Sequence, residues 1–121
     1  MSIVSYSFLT EPKDGKQLLM ADVVRALSLA SGKLWMDEIA AEVSSFRETL
    51  ERGDPFNDKD LRNSIKALEA LDTVTAEERV AATGGNPKRT LMVGLRYSMP
   101  LRSLLELDAD IRKYKEIASS A

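Results

Sequence analysis

Four side chains able to bond phosphate or the edges of bases recur over one short stretch, Lys59, Arg62, Asn63 and Lys66. Lysine and arginine neutralise phosphates or reach guanine O6 and N7, and an asparagine amide can bond an adenine edge at two points. A second basic group lies between Arg79 and Arg96, where Arg79, Lys88, Arg89 and Arg96 occur without one acidic residue. Just ahead of Lys88 and Arg89 stands Gly84-Gly85-Asn86-Pro87, a freely turning backbone followed by a stiff return. Both groups supply positive charge and hydrogen-bond donors, the chemistry of holding a polyanion.

Bond-breaking chemistry finds little support. The chain has neither histidine nor cysteine, which removes imidazole acid–base catalysis, the Ser-His-Asp triad, thiolate nucleophiles and the usual zinc sites. The carboxylate pairs Asp37/Glu38 and Glu77/Glu78 are adjacent in sequence, which turns them away from one another on a helix or strand. Gly84-Gly85 with Lys88 lacks the spacing and the following helix of a Walker loop. Tyr6, Tyr97, Tyr114 and Trp35 read as apolar rings of a core. No enzyme, cofactor or metal is expected.

Charge needs resolving by segment. Seventeen basic against nineteen acidic residues give a net charge of −2, and a pI near 5.2 speaks against nucleic acid. The segments differ sharply, however: +1 for residues 1–36, −4 for 37–54, −3 for 55–78, +4 for 79–96 and 0 for 97–121. An acidic middle is followed by an acid-free basic stretch.

The elements that must position these residues follow from periodicity. With 121 residues, 44% apolar and 30% charged, the chain suits one compact domain. No apolar run approaches the ~20 residues of a membrane span, and Met1 to Leu9 lack the form of a secretory signal, so a cytoplasmic protein is expected. Residues Ser2 to Leu9 alternate as a short strand would. From Asp14 an amphipathic helix carries Leu19, Val23, Ala26, Leu27 and Ala30 and ends at Gly32. Leu34-Trp35-Met36 bridges to a second helix from Asp37, with Ile39, Val43, Phe46 and Leu50 inward and a stop at Arg52-Gly53-Asp54-Pro55. Asn57 or Asp58 caps a third helix whose apolar set is Leu61, Ile65, Leu68 and Leu71. Strands at Val74 to Ala82 and Thr90 to Tyr97 flank a glycine-rich tip, and Pro100 opens a final helix, Leu101 to Ala118.

In this order the chain resembles the winged helix-turn-helix superfamily from about Asp14 to Tyr97. Trp35 to Val43 is similar to the second helix of such domains, and Leu61 to Val74 to a recognition helix running into the wing. The stretch Asp37 to Phe56 is longer than is usual there. Asp72 stands where glycine is common, a position Asp tolerates because it adopts left-handed backbone.

The resemblance implies a mainly α fold with a small antiparallel β-hairpin wing and a C-terminal helix: an arm at 1–13, the winged-helix domain at 14–97 and the last helix at 98–121. It also implies sequence-specific binding of double-stranded DNA as a transcriptional regulator. With Leu61, Ile65 and Leu68 inward, Lys59, Asn63, Lys66 and Ala70 point outward and Arg62 lies on the flank, toward a major groove. Lys88 and Arg89 would meet backbone or minor groove. The alternative is a winged-helix module that recognises another protein in a transcription, replication or chromosome-handling assembly. The acidic total favours it, as do Asp58, Asp60 and Glu69, which cancel the positive charges of the third helix. A small-ligand sensor between the core and the last helix is a third possibility, with no specific residue to support it.

Leu104, Leu107, Ile111, Tyr114 and Ala118 alternate three and four apart, the spacing of a coiled-coil seam. A homodimer through this seam would set two recognition helices about 34 Å apart on a pseudo-palindromic site. The competing expectation is that this helix folds back on the first helix of its own chain.

Overall fold

Side chains cap several of the helix starts. Asp14 Oδ1 accepts from Gln17 N at 2.8 Å, and Ser98 Oγ accepts from Leu101 N at 3.2 Å. Asn57 Oδ1 accepts from Asp60 N at 2.7 Å while Asp60 Oδ2 accepts from Asn57 N at 3.3 Å. Each bond satisfies a backbone donor that the helix itself leaves open. The computed structural model, which describes residues 6–83 and 86–120 and the backbone alone at 81–83 and 86–88, gives this order: α1 Ser7–Thr10, α2 Gly15–Leu29, β1 Lys33–Trp35, α3 Met36–Thr49, α4 Asp58–Ala70, β2 Val74–Thr83, β3 Asn86–Leu95, α5 Met99–Glu106 and α6 Ala109–Ser120.

Helices α2, α3 and α4 end alike. The residue after each C-cap is left-handed, Ser31 at φ 66°, Glu51 at 57° and Asp72 at 56°. The next N–H then reaches back five residues: Gly32 to the Leu27 carbonyl at 2.7 Å, Arg52 to that of Arg47 at 2.8 Å, Thr73 to that of Leu68 at 2.9 Å. This Schellman closure satisfies carbonyls that would otherwise be open. Gly32 is needed one step later than a simple stop: its φ is 90°, and an added Cβ would lie 2.9 Å from the Tyr97 ring.

The sheet is antiparallel in the order β1-β3-β2. Leu34 pairs with Val93, Val74 with Leu95 and Thr83 with Asn86, so only Gly84 and Gly85 separate the last pair. Strand pairing therefore extends through Asn86 to Arg89, residues expected in a loop.

Helix α2 runs through the middle, and every residue from Leu19 to Leu27 is buried. Ile39 and Val43 of α3, Leu61, Ile65 and Leu68 of α4, Val74 and Val93 of the sheet, and Leu101 of α5 close around it.

Two expectations need correction. Of the strand expected at Ser2 to Leu9, residues 2–5 lie outside the described residues and Ser7–Thr10 is a helical turn. Its neighbours Phe8 and Leu9 are both buried, whereas a strand would send one outward. The final helix is not continuous either. Asp108 Oδ1 accepts from Ile111 N at 2.9 Å and starts α6 afresh. The seam is thus divided between two helices: Leu107 is 69% exposed, Ile111 lies in the chain's own core, and the Tyr114 ring sits 5.4 Å from Phe46 of α3. Leu104 is half-buried and Ala118 exposed. Heptad spacing presumes an unbroken helix, and Asp108 interrupts it.

Candidate nucleic-acid interface

Helix α4 separates its two sides cleanly. Leu61, Ser64, Ile65 and Leu68 are buried, while Lys59, Arg62, Asn63, Lys66 and Ala70 are exposed. The side chains of Lys59, Asn63 and Lys66 make no hydrogen bond or ion pair among the described residues. Arg62 Nε donates to Asp58 Oδ2 at 2.7 Å, one turn earlier on the surface. Such an exposed pair contributes roughly 0.3–0.5 kcal/mol and gives way readily to a phosphate.

The hairpin is less free than its composition implies. Arg89 is 80% exposed and its Nη1 lies 3.5 Å from Glu78 Oε1. Arg79 donates to Glu77 at 2.8 Å, and Arg96 donates to Asp72 at 3.2 Å. Hydrogen bonding and charge from Arg79 hold the Glu77 carboxyl below the ordinary glutamate range. The register supplies the reason: Val80 pairs with Arg89 and Glu78 with Leu91, which makes Glu78 and Arg89 diagonal neighbours on one face. The Lys88 side chain lies outside the described residues.

Helix and hairpin meet at a groove of about 340 Å³, lined by Arg62 from α4 and Arg89 and Thr90 from β3. Asp37 and Glu78 line it as well, so the two arginines face acidic company.

A buried ionic cluster lies behind the loop that leads into α4. Asp22, fully buried in α2, receives Arg25 Nη1 at 2.9 Å, Arg47 Nε at 2.8 Å and Arg52 Nη2 at 2.9 Å. Arg25 Nε also donates to Asp108 Oδ2 at 3.0 Å, and Asp110 lies 3.4 Å from both Arg25 and Arg52. Arg47 Nη1 donates to the Asp54 carbonyl at 2.6 Å, and its guanidinium lies over the Phe56 ring. The loop between α3 and α4 is thereby tied to α2. Burial alone would push the Asp22 carboxyl up; the guanidiniums of Arg52, Arg47 and Arg25 outweigh it and hold the carboxyl below the ordinary aspartate range. Sequence reasoning missed this cluster. Its available signal was an aspartate inside the apolar run Leu19 to Leu27.

No protein-family model matches the chain, and no curated protein matches it. Among the described residues no helix is long and apolar enough to cross a membrane.

Proposed function

We propose that the chain is a winged helix-turn-helix protein that binds double-stranded DNA sequence-specifically as a transcriptional regulator. Helix α4 enters the major groove and the β2–β3 hairpin lies on the backbone or minor groove. The observation that carries this reading is the outward side of α4, where Lys59, Asn63 and Lys66 are exposed and unpaired among the described residues. The element order and the β1-β3-β2 sheet support it, since both place a long hairpin directly after that helix. A labelled random-sequence duplex, titrated at several salt concentrations and followed by fluorescence anisotropy, tests the reading. Log affinity is expected to fall by about 0.9 per phosphate contact for each unit of log salt. Absence of binding at low salt overturns it.

A second reading, a module that docks on another protein, draws on the pairing of Arg79, Arg89 and Arg96 with Glu77, Glu78 and Asp72. Paired surface charges suit a mixed-charge protein partner better than a polyanion.

A further inference from the structure

Between the first turn of α2, the loop into α4 and the near side of α4 lies a cleft of about 500 Å³, within the size range of small-molecule sites. Leu18, Leu19, Pro55 and Phe56 give it apolar walls. Its polar lining has bonding capacity to spare. Ser64 Oγ is buried with no hydrogen-bond partner, a condition native proteins seldom leave unresolved. Arg47, also buried, commits Nε to Asp22 and Nη1 to the Asp54 carbonyl, while its Nη2 makes no hydrogen bond among the described residues. The Asn63 amide adds both a donor and an acceptor.

Charge narrows the ligand. Lys16 and Arg47 line the cleft together with Asp54 and Asp60, and Arg47 is already paired with Asp22. An ion of either sign would meet a like charge. We propose that the cleft binds a small, uncharged aromatic molecule carrying adjacent donor and acceptor groups, such as a carboxamide. The ring packs on Leu18, Leu19 and Phe56, and the polar group bonds to Arg47, Asn63 and Ser64. Asn63 also belongs to the outward side of α4, so an occupied cleft opposes DNA binding. That linkage rests on the reading above; ligand binding itself does not.

The test titrates the isotope-labelled full chain with nicotinamide and benzamide, with benzoate as the anionic and toluene as the apolar counterpart, and follows backbone amide shifts. Saturable shifts at Gly15, Lys16, Phe56, Asn63 and Ser64 are expected with the two amides, and weaker binding with the counterparts. Ser64→Ala should weaken binding about five-fold, the worth of one hydrogen bond, without lowering the melting temperature. Gly15→Phe, where an added Cβ meets no atom within 4 Å, should abolish it by narrowing the cleft. The proposal is overturned by absent shifts at millimolar amide, by shifts elsewhere, by benzoate binding as tightly, or by binding that both variants leave unchanged. None of these readouts involves DNA. A chain that binds the amides here and no duplex overturns only the DNA reading, and the reverse overturns only the cleft.

Discussion

Arg47 Nε donates to Asp22 Oδ2 at 2.8 Å, joining α3 to the buried middle of α2. Because Arg47 also holds the Asp54 carbonyl, this one guanidinium links the central helix to the loop that launches α4. Breaking a buried charge cluster by removing one partner leaves uncompensated charge, at a cost of about 3–5 kcal/mol. Asp22→Asn keeps the shape and removes the charge. It should lower the unfolding free energy by about that amount in urea titrations, with a reduced midpoint and an unchanged slope. A loss within experimental error would show that the cluster contributes nothing net.

The same carboxylate sets an acid limit. Its value in the folded protein lies below that of an unfolded aspartate, so its contribution is fully present above about pH 3.9 and is lost as pH falls from there through the folded value. Thermal melts from pH 6 downward, at about half-unit steps, should show a steeper acid decline for the natural chain than for Asp22→Asn. Parallel curves would refute the assignment.

If α4 meets DNA as proposed, Lys59 and Lys66 would contact phosphates. Replacing both with alanine should weaken binding to every duplex alike and flatten the salt slope by about 0.9 per lost contact. Asn63→Ala should instead change which sequences are preferred, as read by selection from a random pool.

Glu78 restrains Arg89 on the hairpin. If that hairpin meets DNA, Glu78→Gln should tighten binding roughly three- to ten-fold at low salt, about 1 kcal/mol, and Arg89→Ala should weaken it. Equal affinity for all three chains in an anisotropy titration would remove the hairpin from the interface and favour the protein-docking reading.

Glu51 sits at φ 57° after α3, where glycine incurs no Cβ penalty. Glu51→Gly should therefore raise stability by up to about 1 kcal/mol, visible as a higher melting temperature. A lower melting temperature would show that the greater freedom of glycine in the unfolded chain outweighs the relieved strain.

Local patterns were legible in the sequence. The period of Leu61, Ile65 and Leu68 determines which side of α4 is buried, and the Asn57 cap marks its start. The tolerance of aspartate for left-handed backbone explains Asp72. What escaped depends on partners distant in the chain. A charge count starting at Arg79 excludes Glu78 by one residue, and only the strand register brings Glu78 beside Arg89. Heptad spacing from Leu104 to Ala118 presumed one helix, while Asp108 turns to Arg25 and caps a new one. Phe8 and Leu9 fit strand alternation equally poorly and well until a core claims both.

The buried cluster also draws its charge balance from distant parts of the chain. Asp22 alone faces Arg25, Arg47 and Arg52, three guanidiniums against one carboxylate, and Asp108 and Asp110 supply two further negative charges. Removing those two carboxylates would leave positive charge in the core uncompensated, which is costly. A chain cut at Leu107 is therefore expected to unfold more readily than the 121-residue chain, α6 acting as counter-charge to the core rather than as an added layer.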